Sequence, residues 1–275
     1  MMTNSMKHLN YIYRRLTGTA VAVIALAATA ALAVNDLRPP SVPLVACDPY
    51  FSIWSPGDRL NDVDTAHWTG KPHRLISRAQ IDGKTYRVIG KEMPGLPALP
   101  QTKLEVLPTR TIYTFEGEGV RLNLTFMTPA LPEDIDILSR PVTYVTWDFE
   151  ATDGKTHLVS LMFEGDKEIA VNTRDQKTTT TNYTDGKWVI TKIGSVDQPV
   201  LAKRGDDIRI DWGYSYQAKP KDFTKEFKVG SKPVSKWIIL AYDDEYSIQY
   251  MKKNLRPYWR RNGDDATKLL RKSAA

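Results

Sequence analysis

The tripeptide Asp-Gly-Lys, found at residues 82–84, 153–155 and 185–187, is the feature that most constrains the fold of this chain. Asp-Gly tolerates the positive φ angles that a two-residue turn between antiparallel strands requires. The first copy separates two runs of alternating polarity, RLISRAQI and KTYRVIG, by two residues. This arrangement predicts a β-hairpin.

Alternation of polar and apolar residues continues through the chain as far as Asp243. In the run YVTWDF, for example, every second side chain is apolar, which places one face of a strand in a core and the other in solvent. A further turn is expected at residues 116–119, whereas the Thr-rich stretch 173–186 is expected to be a polar loop. No helical period precedes Asp243. We therefore expect an all-β fold, an antiparallel two-sheet β-sandwich, with a short helical segment at the C terminus.

The N terminus has the three parts of a secretory signal. Lys7, Arg14 and Arg15 precede an apolar, uncharged run at residues 19–34 that contains Ala-Leu-Ala. We expect residues 1–33 to be a signal peptide cleaved near Ala33. A retained membrane anchor is the less favoured alternative, because a bilayer span needs ~20 strongly apolar residues. The mature protein is then expected to be secreted or periplasmic, without membrane association after cleavage.

Cys47 is the single cysteine of the chain and ends the lipobox-like sequence LVAC. A lipidated N terminus is therefore an alternative reading, but polar residues and prolines separate Cys47 from the apolar run. We favour a chance match and a small, buried residue in the first strand. One cysteine cannot form an internal disulfide, so the fold depends on its hydrophobic core.

The formal net charge of +6 is concentrated at the two ends of the chain, in the leader and in residues 252–275. The body between them carries no basic excess, so no nucleic-acid partner is expected. In the last segment we expect a first helix capped by Asp243 or Asp244 and a second capped by Asp264 or Asp265.

Short motifs at both ends of the body form a recognisable set. They are Pro40-x-x-Pro43-Leu44, Asp48-Pro49-Tyr50-Phe51-Ser52-x-Trp54, His67-Trp68-Thr69-Gly70, Ile81-Asp82-Gly83-Lys84-Thr85-Tyr86, YDDEYSIQY and YWRRNG. Together they resemble the amino-terminal region of glutaminase A-like proteins from fungi and Bacteroides-type bacteria. The resemblance spans nearly the whole chain after the leader.

The resemblance implies a secreted or periplasmic protein in which a β-sandwich precedes a large α/α-barrel domain. The family reaction it implies is hydrolysis of L-glutamine to L-glutamate and ammonia. The α/α barrel has no counterpart in this sequence, so we expect an accessory sandwich that is non-catalytic by itself. Its expected partner is a C-terminal α/α-barrel domain or a partner chain. No catalytic residue is assigned, and neither a cofactor nor a metal is expected.

Four segments follow from these observations. Residues 1–33 are the signal peptide, 34–100 an N-terminal β segment, 101–251 the glutaminase A-like β-sandwich, and 252–275 a basic helical linker toward the α/α domain. The boundary near residue 100 rests on the proline-rich run EMPGLPALPQ. It leaves open whether the chain forms one sandwich or two β subdomains.

The stretch DTAHWTG contains the candidate binding residues Asp64, His67 and Trp68. An exposed tryptophan with polar neighbours would stack on a small-molecule amide or sugar ligand. The favoured alternative is that Trp68 closes the end of the sandwich while Thr69 and Gly70 form a turn. A metal site that uses His67 and His73 is disfavoured, because no recognisable ligand spacing surrounds them.

Five residues of the C-terminal segment are candidate interdomain contacts: Tyr246, Tyr250, Tyr258, Trp259 and Arg260. We expect its aromatic residues to form a partly exposed apolar patch, because the helix that follows has no visible partner in the chain. The alternative function is a stand-alone carbohydrate- or peptide-binding β-sandwich that uses Trp68. Such a module should end at its last strand.

Overall fold

The computed structural model describes residues 38–275, so the predicted signal peptide and its cleavage site lie outside the described part of the chain. Residues 40–275 form one compact unit. The strands along this unit are β1 (Val42–Ala46), β2 (Ser52–Ser55), β3 (Leu75–Ile81), β4 (Lys84–Ile89), β5 (Gln101–Leu107), β6 (Arg110–Gly117), β7 (Val120–Met127), β8 (Val142–Ala151), β9 (His157–Gly165), β10 (Thr178–Asp185), β11 (Trp188–Ser195), β12 (Tyr214–Pro220), β13 (Phe227–Val229), β14 (Val234–Asp243), β15 (Ile248–Tyr250) and β16 (Lys253–Leu255).

Helical structure in the described residues is confined to four short pieces. They are the helices α1 (Ile135–Leu138) and α2 (Ala266–Ser273) and the 3-10 turns Lys167–Ala170 and Tyr258–Arg260. Between residues 38 and 275, no helix has the length and hydropathy that a membrane crossing requires.

Two antiparallel sheets form the body of the molecule, which confirms the predicted all-β sandwich. The larger sheet has the order β10-β11-β12-β14-β8-β7-β6-β5, and the smaller one has the order β13-β9-β3-β4. The pairs β1-β2 and β15-β16 are separate two-stranded sheets. Strand β3 pairs with both β4 and β9, so residues before and after position 100 share one sheet.

Two of the three Asp-Gly turns close β-hairpins, and the remaining one connects the two sheets. The first joins β3 to β4 as a hairpin, with φ of +47° at Asp82 and +83° at Gly83. The third joins the paired strands β10 and β11. The second connects β8 of the large sheet to β9 of the small sheet, so it passes between layers instead of closing a hairpin.

The main core lies between the two sheets. Its alternating positions are buried on the inner faces of β3, β7, β8 and β9. The indole of Trp147 on β8 packs edge-on against Phe163 on β9, with ring centroids 5.4 Å apart. Aromatic contacts of this kind add specific geometry to the apolar area that the sheets bury.

A second buried cluster covers the other face of the large sheet. Its members are Val142, Trp188, Ile190, Tyr216, Ala218, Ile239, Ala241, Trp259, Ala266, Leu269 and Leu270. Helix α2 supplies the last three, and Asp265 caps it by accepting a hydrogen bond from the Lys268 N–H at 2.8 Å. The expectation that this helix lacks a partner within the chain is therefore wrong.

Two local predictions are also wrong. The Thr-rich stretch contains strand β10, which pairs with β11 along its whole length. The first C-terminal helix, expected after Asp243 or Asp244, is replaced by the β15–β16 ribbon. Both segments carry exposed side chains on most positions, so neither has the apolar periodicity from which an element type is read.

Candidate functional site

The loop between β2 and β3 holds the three candidate binding residues. Ala66 pairs with Trp54 through two backbone hydrogen bonds, which fixes the middle of the loop against β2. A tight turn follows, in which the Gly70 N–H donates to the His67 carbonyl at 2.8 Å and Gly70 has a φ of +82°. The predicted turn at Thr69 and Gly70 is thus present.

Trp68 lies at the surface of this turn. Its side chain is 54% exposed, and its indole Nε1 donates to the Pro49 carbonyl at 2.9 Å. The favoured alternative, in which Trp68 closes the end of the sandwich, is therefore wrong. The indole is held in place with much of its surface open to solvent.

His67 and His73 lie beneath the turn with their rings 4.9 Å apart. The two nitrogens of His67 lie 3.0 Å from Thr69 Oγ1 and 3.2 Å from the Pro49 carbonyl oxygen. Burial lowers the pKa of His67, and burial followed by the neighbouring His67 lowers the pKa of His73 to about 3. Both rings are therefore neutral near pH 7.

Asp64 makes different contacts from its two neighbours in sequence. Its carboxylate pairs with Arg74 Nε at 3.0 Å and with Lys91 Nζ at 3.6 Å. The structure therefore brings His67 and Trp68 to the same Pro49 carbonyl, whereas Asp64 belongs to a charged cluster beside β3 and β4. Among residues 38–275, no three His, Cys, Asp or Glu side chains are grouped as ligands for a metal ion.

A cleft of about 360 Å³ lies where the C-terminal segment meets the ends of β1 and β14. Cys47, Asp48, Tyr242 and Asp244 line its inner side. Asp48 Oδ1 accepts hydrogen bonds from the backbone N–H groups of Tyr50 and Phe51, so Asp48 is the turn acceptor that its position before a proline suggests.

Burial shifts the titration of three groups in this cleft. Burial, and then the charge of Asp48, raises the pKa of the Cys47 thiol to about 12. Burial also raises the pKa of Asp48 itself. The pKa of Asp244 rises to about 6 for the same reason, with further contributions from Asp48 and Asp243. Asp244 can therefore gain or lose a proton near neutral pH, whereas Cys47 stays protonated.

Two of the candidate interdomain residues, Tyr258 and Trp259, line this cleft, whereas the other three lie outside its lining. Tyr250 and Tyr258 are exposed, and the ring of half-buried Tyr246 stacks against Arg256. Trp259 is only 5% exposed and belongs to the second buried cluster. The expectation of an exposed Trp259 is corrected, because α2 and the large sheet enclose it. Arg260 pairs with buried Asp243 at 2.5 Å.

Sequence reasoning found part of this cleft. The aromatic residues of the C-terminal segment include two that line its outer wall, Tyr258 and Trp259, whereas the sequence suggests for Asp244 only the role of a helix cap. Asp244 belongs to the motif YDDEYSIQY, but the motif does not show that this side chain is half-buried, because its partial burial results from the fold around the ends of β1 and β14. A raised pKa of this kind has no signal in a single sequence.

Two family models match the chain. One is described as a domain of unknown function (DUF4964) and matches residues 18–99, and the other as a domain of unknown function (DUF5127) and matches residues 109–231. Together the two matches cover parts of both sheets.

Two curated relatives are also similar to part of the chain. Glutaminase A of Aspergillus oryzae is 28% identical over 164 residues, which is 57% of this chain and 24% of the relative. A probable glutaminase of Arthroderma benhamiae is 28% identical over 140 residues, which is 44% of this chain and 16% of the relative. The chain thus spans a quarter or less of the length of these relatives. Taken with the motifs in the sequence, the matches show that part of this chain is similar to glutaminase A, which is consistent with an N-terminal glutaminase-like region in which DUF4964 and DUF5127 occur together.

Proposed function

We propose that this β-sandwich is the accessory portion of an exported glutaminase-like hydrolase and that its β15–β16 ribbon contacts a catalytic α/α body. The observation that carries the proposal is the exposure of the ribbon's apolar side chains. Ile248, Tyr250 and Met251 are 57%, 60% and 78% exposed. Contiguous apolar surface with polar residues around it is typical of a protein-contact site.

The ribbon also has no core of its own. Strands β15 and β16 pair only with each other, through three residues each. An isolated two-stranded ribbon is marginal in water, so burying one of its faces against another body would stabilise it. Lys252 and Lys253 at its tip favour a partner surface with acidic groups.

A non-catalytic role for the sandwich has separate support. The similarity to glutaminase A covers 24% of that protein, which leaves most of the relative's chain to contain its reactive groups. In the cleft, the Cys47 thiol is held protonated by burial, and a protonated thiol is a weak nucleophile.

A specific observation also supports the second candidate function, binding of a sugar or small amide. The Trp68 indole is anchored through Nε1 and keeps an exposed face. Aromatic faces fixed in this way are suited to stacking on a flat or apolar ligand surface. This role is compatible with an accessory sandwich.

The test is an ammonia-release assay on the purified chain with L-glutamine. We expect no release above the level given by the variants Asp64→Ala and Trp68→Ala. A wild-type rate clearly above that of these variants would show that the sandwich itself takes part in catalysis.

Contact with a catalytic body is tested with a helical domain encoded directly downstream, if the gene has one. The domain should co-purify with the wild-type chain and fail to co-purify with the double variant Tyr250→Ser/Met251→Ser. Val196→Ser is the matched control, because Val196 is 55% exposed but lies outside the ribbon. Unchanged co-purification by the ribbon variant would contradict the proposed contact.

A further inference from the structure

A second cavity, of about 320 Å³, lies beside strands β3 and β4. It shares no lining residue with the C-terminal cleft and plays no part in the proposed ribbon contact. Part of its wall is apolar, from Ile76, Ile89 and Met93. The remaining lining is mostly charged, with basic residues in excess: Arg74, Arg78, Arg87, Lys91 and Arg174 against Asp64 and Asp166.

Two of these arginines are cross-strand neighbours on the adjacent strands β3 and β4. In the β3–β4 pairing, Arg78 lies directly opposite Arg87, next to an irregularity in the register after Ser77. Like charges at directly opposed positions destabilise a sheet. Arg87 is only 7% exposed, so water screens this repulsion poorly.

Neither guanidinium is neutralised within the described part of the chain. Arg87 donates from Nε to the Asn61 carbonyl at 3.2 Å and from Nη1 to the Leu96 carbonyl at 2.9 Å. Arg78 contacts Met93 Sδ at 3.6 Å, and its buried Nε has no hydrogen-bond acceptor. No carboxylate among residues 38–275 forms an ion pair with Arg78 or Arg87.

The two carboxylates of the cavity are paired with other basic residues of its lining and not with Arg78 or Arg87. Asp64 pairs with Arg74 and Lys91, and Asp166 pairs with Arg74 at 3.4 Å. The cavity therefore contains two compensated acids and an opposed pair of uncompensated cations. A buried charge without a counter-charge is strongly unfavourable, and a bound anion would remove that penalty.

We propose that this cavity binds a small organic carboxylate. The carboxylate would lie between Arg78 and Arg87, since the planar guanidinium fork matches the two oxygens of a carboxylate. The hydrocarbon part would lie against the apolar wall, which an inorganic anion would leave unused. A volume of about 320 Å³ is at the lower end of the range for small-molecule sites and so limits the ligand to a small one.

The experiment is titration calorimetry on the full chain at constant ionic strength. The probes are hexanoate, its neutral isostere hexanamide, and inorganic phosphate. Hexanoate is expected to bind saturably and about tenfold or more tightly than either other probe, because only it satisfies both the cations and the apolar wall. Absence of hexanoate binding, or equal binding of hexanamide or phosphate, overturns the proposal.

Variants locate the site. Arg78→Met should weaken hexanoate binding about tenfold or more, whereas Arg204→Met, at an exposed position outside the cavity, should leave it unchanged. Arg78 is the better position to change than Arg87, because Arg87 also holds two backbone carbonyls. The thermal midpoint of each variant verifies folding. Undiminished hexanoate binding by folded Arg78→Met overturns the proposal.

Discussion

His157 joins two of the three Asp-Gly-Lys turns through a single buried ring. Its Nδ1 lies 2.7 Å from Asp82 Oδ2 and its Nε2 lies 3.0 Å from Asp153 Oδ1. Hydrogen bonds to Asp153 and then to Asp82 raise the pKa of His157. The aspartates therefore form turns and also tie the β3–β4 hairpin to the connection between the two sheets.

This contact predicts a defined pH dependence. Because the folded pKa of His157 lies above its ordinary value of 6.5, the stabilisation is complete below about pH 6.5 and is lost as the pH rises through the folded pKa. The variant His157→Gln should therefore lack the fall in unfolding free energy that is expected of the wild type as the pH rises above about 6.5. Urea denaturation at several pH values measures it.

The matched control is His67→Gln, because the pKa of His67 is lowered and its ring is already neutral over this range. That variant should keep the wild-type slope. If His157→Gln also kept it, the two aspartates would not be holding a protonated ring.

Single residues were predictable where the chemistry is local. The turn at Asp82 and the acceptor role of Asp48 follow from neighbours two or three residues away. The opposition of Arg78 and Arg87 does not, because it depends on a register irregularity between two strands. A one-residue slip reverses which side chains share a face, and the sequence does not show where the slip occurs.

At the scale of elements, the assumption that each strand has one buried face and one solvent-exposed face does not predict where helix α2 packs. The large sheet is covered on both faces, so its central strand β14 is buried at six consecutive positions. A continuous apolar run of this kind is typical of a strand buried on both faces. The run WIILAY thus indicates that the large sheet is buried on both faces. Helix α2 packs on the face that is turned away from the small sheet.

The packing of helix α2 on the large sheet can be tested by a substitution at Leu269. Truncation by Leu269→Ala should lower the unfolding free energy by about 2–5 kcal/mol, since it removes a buried side chain and leaves a cavity. Its neighbour Lys268 is more than half exposed, and Lys268→Ala should change stability by about 0.5 kcal/mol or less. Urea denaturation of both variants is the measurement, and a loss at Leu269 no larger than at Lys268 would contradict the packing.

Over the whole molecule, the sandwich class was predictable because turn chemistry and alternation recur along most of the chain. The two-stranded ribbon and the edge strand β10 were not, because their exposed positions carry no apolar period. The C-terminal cleft was predictable only in its aromatic wall. The half-buried Asp244 of this cleft depends on how the ends of β1 and β14 meet.

Asp244 predicts a second pH effect, which has the same sign as that of His157 because the folded pKa of both groups is raised. The folded pKa of Asp244, about 6, exceeds its ordinary 3.8, so its ionisation opposes folding as the pH rises through 6. Asp244→Asn should raise the unfolding free energy by about 1–2 kcal/mol at pH ~8 and leave it unchanged near pH ~4.

Asp62→Asn, at an exposed position, is the control and should change neither value. Chemical denaturation at the two pH values separates the effects. A stabilisation of Asp244→Asn that is equal at both would show that packing, and not charge, is responsible.

The ribbon formed by β15 and β16 has a kinetic consequence. Met251 and Lys252 at its tip adopt left-handed backbone angles, with φ of +47° and +64°, without the glycine or asparagine that usually makes such a turn easy. If the ribbon makes the contact proposed above, ordering of this strained tip on binding would cost part of the binding free energy. An attachment made in this way is expected to be specific in shape yet modest in lifetime, so that the two bodies could separate and rejoin.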